Sequence, residues 1–165
     1  MKTAYIETSV ISYLTAQPTR DLVAAAHQQI TREWWQVARG RYELFVSPLV
    51  ADEARRGDQS AAARRTEAIA GLPSLSVVAA AYDLAAQLID SGALPASAQD
   101  DAAHIALAAV HDMDYLLTWN CRHIDNAETK PLVRSVCAVS GYTCPEICTP
   151  EELMGGPDNV GSDSA

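Results

Sequence analysis

The chain has 165 residues, with twelve Lys or Arg against twenty-one Asp or Glu, which gives a formal net charge of -9. Apolar residues make up 48% of the sequence and charged residues 20%, a composition that excludes an extensively disordered chain. The length fits one domain, which we assign to residues 1–150, followed by a mobile tail over 151–165. No stretch is apolar enough to span a bilayer and the N-terminus lacks the pattern of a secretory signal, so we expect a cytoplasmic protein without a membrane partner.

The acidic balance opposes nonspecific attraction to the phosphate backbone of a nucleic acid. A nucleic-acid function would therefore need a local source of positive charge. A divalent cation bound by carboxylates would supply that charge, so the acidity points toward metal binding as readily as away from nucleic acid.

Short apolar runs alternate with helical periodicities along the chain. The predicted strands cover residues 3–6, 43–47, 75–78 and 115–118. The predicted helices cover residues 21–39, 48–56, 60–70, 80–89 and 98–111, with Asp21 as the N-cap of the first. This alternation predicts an α/β fold in which helices cover both faces of a central, mostly parallel sheet of four to five strands.

Polar side chains follow several of these strands, at the edge of a parallel sheet where ligands bind. They are Glu7, Asp52 with Glu53, Asp100 with Asp101, and Asn120. Carboxylates brought together repel one another unless a cation lies among them, and hard oxygen ligands suit Mg²⁺ or Mn²⁺. Such a metal site is suited to the hydrolysis of phosphodiesters.

Four motifs occur in a fixed order: Ile6-Glu7-Thr8-Ser9, Ser47-Pro-Leu-Val-Ala-Asp-Glu53, Asp101-Ala-Ala-His-Ile-Ala106 and Leu116-Leu-Thr-Trp-Asn120. Over residues 3–125 the chain thereby resembles the PIN-domain ribonucleases, in particular the VapC-type toxins of bacterial toxin–antitoxin pairs. The sequence departs from the family at two positions. Glu7 stands where the family usually has Asp, and Asn120 stands where it has a fourth acid.

The resemblance implies a PIN-like three-layer sandwich and a Mg²⁺- or Mn²⁺-dependent endoribonuclease that hydrolyses RNA. It makes Glu7, Glu53 and Asp101 the metal ligands, with Asn120 assisting catalysis. It also implies a cognate antitoxin protein and a homodimer. Around the carboxylates we expect Thr8, Ser9 and Thr118 as hydrogen-bond donors, with Asp100 beside them in a capping role.

Two other functions fit the same residues. One is a catalytically weak or inactive protein of this fold that acts by binding RNA or an antitoxin. The other is a small-molecule phosphohydrolase, although the second Asp that usually follows the nucleophile by two residues is absent after Glu7.

Several side chains also have structural interpretations. Asn120 suits the turn that ends a strand, and His104 suits a packed, hydrogen-bonded position better than a ligand role. Trp34 and Trp35 fit core and dimer contacts. The Arg55-Arg56 and Arg64-Arg65 pairs fit either contacts with RNA phosphate or antitoxin, or solvated helix faces.

The cysteines lie in the last third of the chain, at Cys121, Cys137, Cys144 and Cys148. In a reducing cytosol free thiols are favoured over disulfides. A zinc site that joins Cys144-Pro-Glu-Ile-Cys148 to Cys137 or His123 is the weaker interpretation, because no matching second pair of cysteines is present.

Overall fold

Four short strands and seven α-helices alternate in the computed structural model of the protein, which describes residues 1–155. The strands are β1 (Lys2–Ile6), β2 (Tyr42–Phe45), β3 (Tyr115–Leu117) and β4 (Glu146–Cys148). The helices are α1 (Thr8–Thr15), α2 (Leu22–Glu33), α3 (Pro48–Ala54), α4 (Gln59–Ile69), α5 (Ala79–Asp90), α6 (Gln99–Val110) and α7 (Lys130–Val139).

The strands form one sheet in the order β2-β1-β3-β4, and every neighbouring pair is parallel. Helices α1 to α4 pack on one another, helices α5 to α7 pack on one another, and the sheet lies between the two groups. The predicted three-layer α/β sandwich is therefore confirmed. The strand order reverses between β1 and β3, which is the kind of switch point at which open parallel sheets bind ligands.

The central strand β1 accounts for the uninterrupted apolar run near the start of the chain. Ala4, Tyr5 and Ile6 are all fully buried, because a strand in the middle of a parallel sheet is covered on both faces. None of the helices in residues 1–155 has the length and apolar character required to cross a membrane.

The long helix predicted over residues 21–39 is confirmed, with a change of geometry near its end. Asp21 caps α2 and accepts a hydrogen bond from the backbone N–H of Ala24 at 2.8 Å. After α2 the chain continues as a π-helical turn over Trp34–Ala38. Trp34 is fully buried in the core, and Trp35 is half-buried against it.

Residues 75–78 do not form the strand that their apolar run predicts, so this prediction is wrong. Ser74 and Val46 form a single parallel bridge, and the backbone N–H of Leu75 donates to the carbonyl of Val46 at 2.8 Å. Pro73 has no N–H with which to extend the pairing backwards, and Val77 is 39% exposed. The segment is an extended connection into α5 in which only Leu75 is buried.

The fourth strand comes instead from β4, inside the segment whose cysteines the sequence analysis compares with zinc ligands. All four cysteines are free thiols, and Cys137 and Cys148 are buried in the core. Helix α7 was not predicted either, and it places Val133 and Cys137 on one buried face. Both elements lie C-terminal to residues 3–125, the region that the four motifs cover.

The domain continues slightly beyond residue 150. Pro150–Leu153 form a 3₁₀ turn, and Leu153 is buried in the core. The remainder of the predicted tail, residues 156–165, lies outside the part of the chain that the structure describes.

Asp114 ties together the N-terminal ends of the strands. Its carboxylate accepts hydrogen bonds from the backbone N–H of Thr3 at 2.8 Å and from the Thr3 hydroxyl at 3.2 Å. Its carbonyl accepts from the backbone N–H of Glu146 at 2.9 Å. The backbone hydrogen bond from Thr3 is the largest influence on this carboxyl and, helped by Lys2, lowers its pKa below the ordinary value of 3.8.

We predict that Asp114→Ala lowers the unfolding free energy at pH 7 by about 1 kcal/mol, allowing for solvent screening of a half-exposed carboxylate. Because the folded pKa is depressed, this contribution is full above pH 3.8 and is lost as the pH falls through the folded value. Urea unfolding at pH 7 and pH 3 measures the difference. Asp114→Asn keeps an acceptor without the charge, and an identical pH dependence in all three proteins would contradict the prediction.

Candidate functional site

Two of the predicted site segments meet directly at the switch point of the sheet. Glu7 follows β1 and Thr118 follows β3, so both stand at the carboxyl edge on either side of the reversal. The Thr118 hydroxyl donates to Glu7 Oε2 at 3.0 Å. The backbone N–H of Glu7 donates to the carbonyl of Leu117 at 3.0 Å, which continues the sheet pairing up to the site.

Glu7 is a buried carboxylate, only 5% exposed, at the N-terminus of α1. Besides Thr118, its Oε2 accepts hydrogen bonds from the Ser9 hydroxyl and from the backbone N–H of Ser9, the latter at 2.9 Å. These charge-assisted bonds and the positive end of the helix dipole offset the cost of burying the charge. Glu7 Oε1 makes no hydrogen bond to residues 1–155.

The same two hydroxyls also organise the chain that leaves β3. Ser9 Oγ accepts a hydrogen bond from the backbone N–H of Trp119 at 2.8 Å, and Thr118 Oγ1 accepts one from Asn120 at 2.9 Å. Ser9 and Thr118 thus stand where the sequence predicts supporting donors. Each of them fixes a carboxylate and a loop amide at once.

Glu53 projects from α3, which begins with Ser47 as its N-cap and Pro48 at its first position. Its Oε1 accepts a hydrogen bond from the Thr8 hydroxyl at 2.8 Å and one from His104 Nε2 at 2.5 Å. Burial raises the pKa of this carboxyl, but the hydrogen bond and charge of His104, with smaller contributions from Thr8 and Arg56, lower it overall below 4.5. Glu53 is therefore an anion near neutral pH, with Oε2 making no hydrogen bond to the described residues.

His104 is fully buried on α6 and is the histidine that the sequence analysis treats as packed. Its Nδ1 lies 2.7 Å from the Tyr5 hydroxyl, which in turn lies 2.8 Å from Ser47 Oγ. Burial is the main reason that the pKa of Tyr5 is raised, so its hydroxyl stays protonated. The contacts of Tyr5 could not be predicted in detail, although a tyrosine in a buried strand requires a hydrogen-bond partner.

Asp101 lies in the first turn of α6, half-buried. Its Oδ2 is 3.0 Å from Nδ1 of His123, and the backbone N–H of His123 donates to Asn120 Oδ1 at 3.0 Å. The Asn120 side chain therefore closes the turn after β3, as its structural interpretation expects. Sequence reasoning did not identify His123 as a partner of Asp101, and the spacing Asn120-x-x-His123 is the signal that links it to the turn.

These hydrogen bonds, together with two short stretches of the chain, form a closed path that we call the carboxylate circuit. Followed in order, it runs from Glu7 through Thr118, Asn120 and His123 to Asp101, along α6 to His104, and through Glu53 and Thr8 back to Glu7. Asp101 and His104 are three residues apart on α6 and so lie on neighbouring turns of one face. Each carboxylate of the circuit is held through one oxygen only.

Two acidic candidates lie outside the circuit. Asp52 is exposed and pairs with Arg55 on its own helix. Asp100 is exposed and lies 3.6 Å from Arg56, so it belongs to the rim beside Asp101. This division agrees with the choice of Glu53 and Asp101 over their neighbours.

The circuit does not present a ready-made metal cage. Within residues 1–155, no three His, Cys, Asp or Glu side chains are grouped so that they could hold a metal ion. Hard carboxylate oxygens are nevertheless the ligands that Mg²⁺ and Mn²⁺ prefer. Mg²⁺ in particular keeps several waters and is usually held by one or two carboxylates together with substrate phosphates. The donor set fits a cation of that kind and not an all-protein site.

No protein-family model matches this chain, and no curated protein matches it at a significant level. The resemblance to the PIN-domain ribonucleases therefore depends on its four motifs alone. The carboxylate circuit is a property of this chain and does not depend on any relative.

We predict that Thr118→Val, which keeps the shape of the side chain, lowers the unfolding free energy by about 2 kcal/mol. The reason is that buried Glu7 loses a donor and the backbone N–H of Asn120 loses its acceptor. Urea denaturation at pH 7 measures the loss. Thr118→Ser keeps the hydroxyl and should lose only about 1 kcal/mol, the value of one buried methyl group, and equal losses in the two variants would show that the hydroxyl contributes nothing.

Proposed function

We propose that this protein is a Mg²⁺- or Mn²⁺-dependent endoribonuclease of the PIN type. The observation that carries the proposal is that hydrogen bonds, helix α6 and the Glu7-Thr8 step connect Glu7, Glu53 and Asp101 near the switch point, with each carboxylate held through a single oxygen. These are the three carboxylates that the motifs single out as metal ligands. An acidic site at the carboxyl edge of a parallel sheet is suited to metal-assisted phosphodiester hydrolysis.

One or two of Glu7, Glu53 and Asp101 would hold the cation, through the oxygens that make no hydrogen bond to residues 1–155. A cation that takes one or two of these carboxylates and completes its shell with water and an RNA phosphate agrees with the absence of a three-ligand cluster from the described residues. The chemistry that such a cation supplies when bound is activation of water and neutralisation of charge on the phosphate.

The contribution of the chain itself is orientation of the carboxylates before RNA binds. Ser9 and Thr118 fix Glu7, Thr8 and His104 fix Glu53, and His123 fixes Asp101. Side chains held in this way lose no further rotamer freedom on binding, which is the advantage of a preorganised site. Asn120 supplies a neutral amide where the family has an acid, and its oxygen is occupied by the turn to His123.

The protein is acidic overall, but one region near the circuit carries positive charge that could contact RNA. Four of the twelve basic residues fall between positions 55 and 65, directly after Glu53. Arg65 is held by the carbonyls of Ala54 and Arg56. Arg56 is largely exposed and lies against Asp100, beside Asp101. We assign Arg56 as a contact for an RNA phosphate that approaches the circuit.

The resemblance further supports a role as the toxin of a type II toxin–antitoxin pair, as a homodimer whose site is blocked by a cognate antitoxin. These partners belong to the proposal and rest on the motifs alone. They are tested by co-purification with the product of a neighbouring small gene and by the mass of the protein in solution.

A second candidate function is that of a protein with this fold that binds RNA or an antitoxin without cutting RNA. Two observations favour it. No three-ligand metal group exists among residues 1–155, and the fourth acid of the family is replaced by Asn120 with its oxygen already bonded. Turnover in the presence of metal separates the two functions.

We predict that the purified protein cuts RNA with Mg²⁺ or Mn²⁺ and not with EDTA, and that Asp101→Asn reduces the rate by more than about 100-fold. Loss of a residue that merely supports a metal ligand costs about 10- to 100-fold, so loss of the ligand charge should cost more. Asn keeps an acceptor for His123, which preserves the turn. Gel analysis of single-stranded and structured RNAs, beside small phosphate esters, measures the rates.

The matched control is Asp83→Asn, which makes the same charge change on the exposed face of α5. It should cut RNA at the rate of the unchanged protein. Undiminished cleavage by folded Asp101→Asn would contradict the mechanism. Absence of cleavage and of metal binding would favour the binding protein, and preference for phosphate esters would favour a small-molecule phosphohydrolase.

We predict that Arg56→Gln weakens RNA binding in EDTA and reduces the slope of log affinity against log salt by about 0.7, the value for one contact to a single-stranded phosphate. Fluorescence anisotropy with labelled RNA at several salt concentrations measures the slope. Arg134→Gln on α7 removes an equal charge from a side chain that pairs with Glu146, and it is the control. Equal slopes for the two variants would exclude a specific contact at Arg56.

A further inference from the structure

A line of polar side chains runs through the core beneath the carboxylate circuit. Ser47, Tyr5 and His104 are all fully buried, and they are joined by hydrogen bonds of 2.8 Å and 2.7 Å. The line ends at Glu53 Oε1, 2.5 Å from His104 Nε2. It therefore connects β1, the start of α3 and the middle of α6 to one carboxylate oxygen.

The network assigns a direction to these hydrogen bonds. Glu53 Oε1 already accepts from the Thr8 hydroxyl, and a carboxylate oxygen accepts hydrogen bonds, so His104 Nε2 carries a proton and donates it. The Tyr5 hydroxyl, which keeps its proton, donates to Nδ1 of His104, and its oxygen accepts from Ser47. Ser47 Oγ also accepts from the backbone N–H of Val50, at 3.3 Å. Every donor of the line points toward Glu53, and aligned bonds of this kind polarise one another.

An apolar side chain could occupy the position of Tyr5 without disturbing the core. Its neighbours Ala4 and Ile6 on β1 are equally buried and purely apolar, and a phenylalanine would fill the same volume. Burying polar groups costs desolvation energy even when all of them are hydrogen-bonded. Replacing such a network by apolar side chains of similar volume therefore often leaves the free energy of unfolding unchanged. The feature that an apolar core could not reproduce is a donor aimed at Glu53.

We propose that His104, held by Tyr5, is a positioning residue for Glu53, since its Nε2–H keeps Oε1 turned inward and leaves Oε2 for a divalent cation. The inference rests on the proposed function, because it assigns a use to the oxygen that the line leaves unbonded. Thr8 bonds the same Oε1 from α1, so two elements hold one oxygen from different sides.

Tyr5 has a separate part in this arrangement. By donating to Nδ1 of His104, its hydroxyl holds the ring proton on Nε2, where it faces Glu53. Without that hydroxyl the imidazole is free to carry its proton on Nδ1, and Nε2 would then present a lone pair to a carboxylate.

Two variants of His104 separate positioning from packing. In His104→Gln the amide group lies near the place of Nε2 and keeps a donor toward Glu53. In His104→Asn the shorter amide lies near the place of Nδ1 and keeps a partner for Tyr5 only. Both variants leave a polar amide in the same buried position. Tyr5→Phe is the third variant, since it keeps the shape of the ring and removes the hydroxyl.

The experiment measures Mn²⁺ affinity of the RNA-free protein by calorimetry, thermal unfolding, and RNA cleavage in saturating Mn²⁺. We expect His104→Asn to lose about 10- to 100-fold in Mn²⁺ affinity, as for loss of a group that orients a metal ligand. His104→Gln should stay within a few-fold of the unchanged protein, although both variants lower the unfolding temperature. Tyr5→Phe should weaken Mn²⁺ binding in the same direction as His104→Asn.

A purely structural role would weaken Mn²⁺ binding in proportion to lost stability, with no advantage for Gln over Asn, and that result overturns the inference. If the His104 variants do not fold, an unchanged Mn²⁺ affinity in Tyr5→Phe overturns it as well. Failure of the proposed function is distinct, because the unchanged protein itself would then neither bind Mn²⁺ nor cut RNA, and the inference would fall with it.

Discussion

The burial of Glu7 is the constraint on which the site depends. A carboxylate that is 5% exposed must have its charge offset by donors, and all of its donors come from two places, the first turn of α1 and the end of β3. Glu7 receives all three of these hydrogen bonds only when β1 and β3 are neighbours in the sheet and α1 begins at once after β1. One carboxylate thus links two strands and the start of a helix.

The other two carboxylates of the circuit, Glu53 and Asp101, also require hydrogen-bond donors. Like charges at one sheet edge repel, and here each carboxylate has its own combination of donors. Glu7 is held from α1 and from the residue after β3, Glu53 from α6 and α1, and Asp101 from the turn after β3. The donors are hydroxyls, backbone amides and imidazoles, and no lysine or arginine enters the circuit within residues 1–155. The site therefore keeps its negative potential, which is what attracts a cation and repels an unaccompanied phosphate.

Local patterns predicted most of the fold, because they depend on residues close together in the chain. The apolar run of β1, the Asp21 cap of α2 and the Ser47-Pro48 start of α3 all occur as their residues indicate. Helix α7 was missed, and the errors in the strands concern pairing. Residues 75–78 look like a buried strand, but Pro73 and the exposed Val77 leave them with one bridge, whereas β4 pairs fully despite having three residues between Pro145 and Thr149.

In the candidate site, too, the features that depend on nearby residues were predicted and the contacts between distant residues were not. Glu7, Glu53, Asp101 and their hydroxyl donors could be chosen because motif spacing places them at strand ends and helix starts. The pairs Asp101 with His123 and His104 with Tyr5 could not, because they join residues 22 and 99 positions apart through side-chain reach. A periodicity reports which face of an element is buried, and it carries no information about which buried polar group meets which.

The bond from Thr118 to Glu7 also has a consequence for synthesis of the chain. It spans 111 positions, and β1 can pair with β2 long before β3 exists. During translation, β1 and β2 therefore emerge while Glu7 still lacks its donor Thr118. Pairings between residues so far apart in the chain form late. The circuit closes only after the chain beyond His123 has left the ribosome, so the nascent protein carries its acidic residues without an assembled site for most of its synthesis.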